Sequence, residues 1–207
     1  MSLTFYLAPM STATITELVL EELGVPFERV TLDLKKGDTR KPDFIKLNPN
    51  AKVPVLVHDG TVMWESAALT LYLGEAFGVD RKLYPAAGPR RGEAMKWIVW
   101  TNVTLGDAVG RWARNTQKWV PVEQHNAKAG EAAMAETVEC LKTLDGALEG
   151  RAFLLGADYS LADTHVNSFV DWIRHMGVDF STYDNLNAWS NRCAARPAYA
   201  KVMAGGK

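Results

Sequence analysis

The chain has 207 residues, enough for one large domain or two small ones, and 47% of them are hydrophobic, as in an ordinary globular protein. Its 23 basic and 24 acidic residues give a net charge of −1, which argues against nucleic acid as the main partner because phosphate binding needs a clustered positive surface. No apolar run approaches the roughly 20 residues that span a bilayer, so no membrane segment is expected.

The N-terminal stretch MSLTFYLAP has no basic region followed by an apolar run, so we expect no signal peptide. The two cysteines, Cys140 and Cys193, show no zinc-ligand spacing, so we expect no metal site. So few cysteines are typical of a reducing compartment, and the cytoplasm is the expected location.

The start of the chain predicts alternating strands and helices. The run LTFYL at residues 3–7 has the length of a strand, and apolar residues at helical spacing then lead to Gly24, a stop signal for a helix. The segment RVTLDL at 29–34 alternates strictly, which predicts a second strand. A strand, helix, strand order implies a parallel pair joined by a crossover.

A polar, irregular stretch comes next, followed by the apolar runs VPVLV and TVM around His58-Asp59-Gly60. Asp-Gly between two apolar runs is a strong hairpin signal. A helix from Ser66 to Phe77 completes a βαβ-ββα order in residues 1–78.

Residues 79–89 are rich in glycine, proline and charge, which predicts a linker, and residues 90–207 predict helices alone. Ser160 and Asp163 have the spacing of a capping box at a helix start. The predicted helices are a striped helix over 97–112 that ends before Pro121, a helix over 122–148, one that starts near Leu161 and one after Pro197.

A βαβ-ββα half followed by an all-helical half resembles the glutathione transferase family, in which a thioredoxin-like domain precedes a helical domain. Five motifs carry the resemblance across nearly the whole chain; each is weak alone, but together they occur in the family's order. They are PMSTAT (9–14), LEELGVPFE (20–28), LNPNAKVPVL (47–56), WESAAL (64–69) and SLAD (160–163). The resemblance implies an α/β plus all-α fold: a glutathione-binding domain over 1–78, a linker over 79–89 and a helical domain over 90–207 that lines the electrophile pocket.

The resemblance also implies a cis peptide bond between Val53 and Pro54, which in these proteins leaves the valine N–H and C=O facing outward. An extended tripeptide such as glutathione can then add to the sheet edge as a short strand. A helix start at Ser66 favours the γ-glutamyl carboxylate, because free N–H groups and the helix dipole attract an anion. Glu65 is placed to receive the ammonium group of the ligand.

Lys52 and Arg40 are the candidates for the glycyl carboxylate, and the adjacent Lys41 leaves open which of the two loop cations binds it. Each assignment has a simpler structural alternative. Ser66 could be only a helix cap, and Pro54 could serve only to prevent another strand from pairing with the sheet edge. Lys52 and Arg40 could be only solvated surface charges.

Transferases of this family ionise the glutathione thiol, whose ordinary pKa of about 8.5 leaves only about 3% thiolate at pH 7. Ser11 is the first candidate for a hydroxyl that donates to sulfur, because PMSTAT resembles the phi-type motif that contains the catalytic serine. Thr12 is the runner-up, at the place where beta-type enzymes carry a cysteine. Tyr6 is third, one residue out of register with the tyrosine-type enzymes. Ser11 could instead only cap the first helix.

In this family the first helix of the helical half lines the pocket for the second substrate. Met10, Arg111 and Trp112 are the candidates for that pocket, although aromatic residues at helical spacing more often belong to the core. An apolar pocket implies an apolar electrophile such as an aryl halide, epoxide, enone or hydroperoxide. By contrast, Ser160 and Asp163 are assigned a structural capping role.

The leading hypothesis is a glutathione S-transferase that conjugates apolar electrophiles. The alternatives are a glutathione-dependent peroxidase and a non-catalytic glutathione-fold binding module. The joint presence of Ser11 and the Glu65-Ser66 pair favours an enzyme. A homodimer is expected from the resemblance alone.

Overall fold

A four-stranded mixed sheet forms the centre of the first part of the chain in the computed structural model, which describes residues 2–205. The spatial order is β2-β1-β3-β4; β1 runs parallel to β2 and antiparallel to β3, and β3 runs antiparallel to β4. The strands are β1 (Leu3–Leu7), β2 (Glu28–Thr31), β3 (Val55–His58) and β4 (Thr61–Trp64).

Nine α-helices are found within residues 2–205, four of them in the same part of the molecule as the sheet. The helices are α1 (Ala13–Leu23), α2 (Pro42–Leu47), α3 (Ser66–Leu73), α4 (Pro89–Trp100), α5 (Gly106–Thr116), α6 (Ala127–Ala147), α7 (Leu161–His175), α8 (Asp184–Ala194) and α9 (Pro197–Gly205). The order β1-α1-β2, then β3-β4-α3, confirms the predicted βαβ-ββα arrangement. None of the helices in the described part of the chain has the length and apolar character needed to cross a membrane.

The chain divides into two units, and the first is discontinuous in sequence. It contains the residues up to Ala87 and those from Ala195 onward, whereas the second unit is Gly88–Ala194. The sequence predicts one helical domain over 90–207, but α9 packs against α1 of the first unit.

Ion pairs between α1 and the C-terminal segment accompany this packing. The Arg196 guanidinium donates two hydrogen bonds to the Glu22 carboxylate, at 2.7 and 2.6 Å. The Lys201 ammonium lies 2.6 Å from the Glu21 carboxylate. Arg196 and Lys201 therefore tie the segment around α9 to the first helix.

The hairpin between β3 and β4 has the turn chemistry that its sequence predicts. Asp59 and Gly60 both have left-handed backbone angles, with φ of 46° and 84°. Two left-handed central residues make a type I′ turn, whose twist matches that of the flanking strands.

The second strand is shorter than its alternating sequence predicts, because it ends at Thr31 rather than at residue 34. The Asp33 carboxylate accepts the N–H groups of Lys35 at 2.9 Å and Lys36 at 3.2 Å. Such a local bond from an aspartate side chain turns the backbone and competes with strand pairing.

In the second unit, the stripe predicted as one helix is two helices joined by a π-turn at Thr101–Leu105. Gly106 follows this turn, where an added Cβ would lie 2.9 Å from the Phe169 ring of α7. The close approach of α7 explains why a glycine stands there. Helix α8, like α2 in the first unit, was not predicted.

Candidate functional site

One end of each of the four strands lies at the same end of the sheet. Tyr6 of β1 lies opposite Val55 of β3 in antiparallel register, so the carboxyl end of β1 adjoins the amino end of β3. Val55 in turn lies opposite Trp64, which places the carboxyl end of β4 there too. The parallel pairing of Leu7 with Thr31 adds the carboxyl end of β2.

The candidate residues of the first unit lie on the segments that meet at this end. Helices α1 and α3 also begin here, and the positive ends of two helix dipoles favour negative charge. The segments carry Met10, Ser11 and Thr12 after β1, Arg40 between β2 and α2, Lys52, Val53 and Pro54 before β3, and Glu65 and Ser66 after β4.

Backbone strain is concentrated in the same segments. Among residues 2–205, five residues other than glycine have a positive φ, and three of them immediately precede candidate residues. These three are Met10 at 55°, Ala51 at 54° and Glu65 at 74°. Because such a conformation costs about 1–3 kcal/mol for a residue with a side chain, its clustering is typical of a functional site.

Ser11 lies half-buried between β1 and α1, and both of its hydrogen-bonding functions are used. Its hydroxyl donates to the Ala8 carbonyl at 2.7 Å and accepts the Ala13 N–H at 3.2 Å. A hydroxyl has a single proton, so a bond from Ser11 to a sulfur must replace the bond to Ala8. Its neighbour Thr12 is exposed, and its hydroxyl does not cap the helix.

The Val53–Pro54 peptide bond is cis. Pro54 is buried, whereas Val53 is partly exposed and stands two residues before the first residue of β3. Within the described residues, neither the N–H nor the C=O of Val53 has a hydrogen-bond partner. This backbone can therefore accept one more extended segment.

The structure distinguishes the two loop cations. The Lys41 ammonium lies 2.7 Å from Asp38, and this hydrogen bond holds the pKa of the Asp38 carboxyl below its ordinary value. The side chains of Arg40 and Lys52 are exposed, and in the part of the chain that the structure describes neither has an acidic partner. Arg40 rather than Lys41 thus has its charge available.

Ser66 is buried and is the first residue of α3, and its carbonyl accepts the Thr70 hydroxyl at 3.0 Å. Glu65 is exposed and precedes the helix with its left-handed backbone, while its carbonyl accepts the Leu69 N–H at 2.9 Å. A carboxylate side chain and a helix N-terminus therefore stand side by side at this end of the sheet.

Two of the candidates for the electrophile pocket lie in the second unit. Arg111 binds Asp107 at 2.8 Å and forms a bidentate pair with Glu136 of α6, which raises the pKa of the guanidinium. Trp112 is buried. Met10, in the first unit, is fully exposed beside Ser11.

The Asp163 carboxylate is a buried hub of the second unit. It accepts the N–H and the hydroxyl of Ser160, both at 2.9 Å, the Leu154 N–H at 2.8 Å and the Trp189 indole N–H at 2.8 Å. Burial raises the pKa of Asp163, although the four hydrogen bonds oppose that effect. The capping box at α7 is present.

One residue beside the site escaped prediction. Asn48 is buried at the end of α2, and its side chain binds the segment that leads to Val53. An asparagine followed by a proline at a helix end is a turn signal, and that pattern could have drawn attention to it.

Comparisons with known proteins agree with this architecture. Residues 1–75 match the family described as "Glutathione S-transferase, N-terminal domain", and residues 111–197 match "Glutathione S-transferase, C-terminal domain". The chain is 30% identical over 188 residues to Glutathione S-transferase GstB of Escherichia coli (strain K12), covering 90% of this chain and 89% of that protein.

Solved structures of glutathione transferases are also similar to this chain. A glutathione transferase from Burkholderia graminis, with two glutathione molecules bound per subunit, is 27% identical, with a TM-score of 0.88 over 98% of this chain and 87% of that one. The fold alone is shared with glutathione transferase URE2P6 of Phanerochaete chrysosporium in complex with oxidized glutathione, at 23% identity, a TM-score of 0.89 and coverage of 99% and 96%. The chain therefore belongs to the glutathione S-transferase family and is a glutathione transferase.

Proposed function

We propose that this enzyme conjugates glutathione to apolar electrophiles and that Ser11 stabilises the reacting thiolate. The observation that carries the proposal is the meeting of four strand ends and two helix N-termini at one end of the sheet. Solved relatives named as glutathione complexes support glutathione as the ligand.

The backbone of glutathione pairs with Val53. Its unpartnered N–H and C=O, within the described residues, are the two groups that an added strand requires. Pairing of this kind recognises an extended peptide whatever its side chains, so the charged ends of the ligand must supply the specificity.

The charges at this end of the sheet match those of glutathione, which has two carboxylates and one ammonium group. The start of α3 at Ser66 receives the γ-glutamyl carboxylate, and the exposed Glu65 receives the ammonium. Arg40 and Lys52 receive the glycyl carboxylate, while Lys41 stays with its partner Asp38.

The sulfur then lies at the start of α1. Lowering its pKa by about 2 units makes roughly three quarters of it thiolate at pH 7 and requires about 2.7 kcal/mol of anion stabilisation. The Ser11 hydroxyl rotates, so that it donates its hydrogen bond to the sulfur instead of to the Ala8 carbonyl. It still accepts the Ala13 N–H. The thiolate attacks an electrophilic carbon, the carbon–sulfur bond forms and, with an aryl halide, halide leaves.

The electrophile approaches past Met10, whose exposed thioether chain stands next to Ser11. Contacts of Arg111 and Trp112 with the electrophile stay predictions. Conjugation of apolar electrophiles is a detoxification reaction, and we expect it to take place in the cytoplasm and in a homodimer.

The test is titration calorimetry with glutathione on the wild type and on Ser66→Ala. Loss of a bond to the γ-glutamyl carboxylate should weaken binding by about 1.5–3 kcal/mol. Ser168→Ala is the matched control, because in the described part of the chain that hydroxyl forms its hydrogen bond within α7, to the Thr164 carbonyl at 2.8 Å. Equal affinity in all three proteins would reject the assignment of Ser66.

A rate assay with glutathione and a panel of an aryl halide, an epoxide, an enone and a hydroperoxide tests the reaction. Turnover of the carbon electrophiles supports conjugation. Turnover of the hydroperoxide alone would reject conjugation in favour of a peroxidase.

A further inference from the structure

Asn48 uses both ends of its side-chain amide on the short segment that leads to the glutathione-binding backbone. Its amide nitrogen donates to the Lys52 carbonyl at 2.7 Å. Its amide oxygen accepts the backbone N–H and the side-chain N–H of Asn50, both at 3.0 Å. Asn48 is 3% exposed, so its end of these bonds is shielded from water.

The Asn48 backbone completes the same turn. Its N–H donates to the Phe44 carbonyl at 2.9 Å as α2 ends, and its carbonyl accepts the Ala51 N–H at 3.0 Å. Ala51 lies between these contacts with the left-handed φ of 54° noted above. Asn48 thus forms hydrogen bonds with Asn50, Ala51 and Lys52, and Lys52 is the residue before Val53.

The bond to Lys52 has a consequence for the next residue. The Lys52 carbonyl and the Val53 N–H belong to one planar peptide unit, and in a trans unit the two groups point in opposite directions. Among residues 2–205, only the Val53–Pro54 bond is cis, so the Lys52–Val53 unit is trans. Asn48 holds the carbonyl, and the valine N–H on the other side must therefore point away from Asn48.

We propose that Asn48 is a positioning residue for glutathione: by fixing the Lys52 carbonyl it aims the Val53 N–H at the incoming peptide. The inference rests on the proposed binding of glutathione along Val53. Asn48 touches neither the sulfur nor the electrophile, so it acts on glutathione affinity and leaves the chemical step unchanged.

Four proteins test the proposal: the wild type, Asn48→Ala, Asn48→Asp and Asn50→Ala. The aspartate variant keeps an acceptor for the N–H groups of Asn50 but sets a carboxylate oxygen against the Lys52 carbonyl. The Asn50→Ala control removes the neighbouring side chain and keeps the bond to Lys52. Calorimetry gives the dissociation constant for glutathione, and steady-state kinetics give kcat and KM.

We expect Asn48→Ala to raise Kd and KM for glutathione about 5- to 20-fold, as the loss of one part-buried hydrogen bond predicts, with kcat at saturating glutathione unchanged. Asn48→Asp should lose at least as much affinity, and Asn50→Ala should stay within about twofold of the wild type. Recovery of wild-type affinity in Asn48→Asp, or a fall in kcat at unchanged KM, would overturn the proposal.

Amide exchange measured by NMR on the wild type decides the matter even if both Asn48 variants fail to fold. The Asn48 side-chain amide protons should exchange slowly in the free protein, and the Val53 amide should become protected when glutathione is added. Fast exchange at either position refutes the positioning role. A wild type that does not bind glutathione would overturn the proposed function as well, whereas full affinity in Asn48→Ala would overturn this inference alone.

Discussion

Two serines at helix starts, Ser11 before α1 and Ser160 before α7, look alike in the sequence and differ in the structure. The Ser160 hydroxyl is buried and donates to a carboxylate, that of Asp163, within a closed capping box. The Ser11 hydroxyl is half-buried and donates to the neutral carbonyl of Ala8.

The difference shows what separates a structural cap from a hydroxyl that can take part in chemistry. A bond to a buried carboxylate is charge-assisted and roughly twice as strong as a bond between neutral groups, so the Ser160 proton is held in place. The hydrogen bond from Ser11 to one neutral carbonyl is weaker. It can be replaced by a hydrogen bond to a thiolate, which is an anion and therefore a stronger acceptor. The four predictions below run from the largest expected effect to the smallest: the first two concern the buried Asp163 cap and the neighbouring His165, and the last two compare the two serines and Thr12.

Asp163→Ala should have the largest effect, on stability. It leaves the buried donors of Leu154, Ser160 and Trp189 without their acceptor, and the free energy of unfolding should fall by about 3–5 kcal/mol. Urea unfolding followed by circular dichroism measures it. Asp163→Asn keeps one acceptor oxygen and should lose less. An unaltered urea midpoint in the alanine variant would show that the hub is dispensable.

Acid should destabilise the protein through His165, two residues after the hub. Burial lowers the pKa of His165 from 6.5 to about 3, so below pH 6.5 the unfolded chain takes up a proton that the folded chain does not. The free energy of unfolding should then fall by up to about 1.4 kcal/mol per pH unit between those two values. Urea titrations from neutral to mildly acidic pH measure the slope.

His165→Gln is the control for this slope, since glutamine cannot take up the proton. The raised pKa of Asp163 acts in the opposite sense, because it favours the folded state as pH falls. The difference between the two proteins isolates the histidine. Parallel curves for both proteins would contradict the prediction.

The matched pair Ser11→Ala and Ser160→Ala separates chemistry from stability. The first should raise the pKa of bound glutathione by about 1–2 units and lower kcat/KM at neutral pH about 10- to 100-fold, with little loss of affinity. The second should leave that pKa alone and cost about 1–2 kcal/mol of stability. Thiolate absorbance against pH and urea unfolding give the two quantities; an unchanged thiol titration in Ser11→Ala would remove Ser11 from the mechanism.

Thr12→Val should have the smallest effect, because the Thr12 side chain does not cap α1 and is exposed. We expect kcat/KM and the thiol titration to change less than about twofold. A larger loss than in Ser11→Ala would transfer the sulfur-binding role to Thr12.

Local sequence signals predicted much of the fold. A short apolar run of strand length predicted β1, Gly24 marked the end of α1 and Asp59-Gly60 marked the hairpin, because each of these is decided within a few residues. The π-turn at Thr101–Leu105 was not predicted in this way, and neither was the close approach of Phe169, from far along the chain, to the adjacent Gly106.

The candidate site was predictable by residue type and order but not by bonding. The resemblance named Ser11, yet the current acceptor of its proton depends on how the backbone turns at Met10. The pairing of Lys41 with Asp38, which leaves Arg40 available, likewise depends on the shape of one loop. The sequence motif does not determine these hydrogen bonds and ion pairs, because they depend on the folded shape of the loops.

The ties between Arg196 and Glu22 and between Lys201 and Glu21 have a consequence for synthesis. Chains are made from the N-terminus, and domains usually fold in that order as they leave the ribosome. Here α1 gains these ion pairs only after the segment with Arg196 and Lys201 has been made. Completion of the first unit is thus postponed until residues after Ala195 have been made, and a premature stop codon shortly before Ala195 would remove α9 and its ion pairs with the first helix.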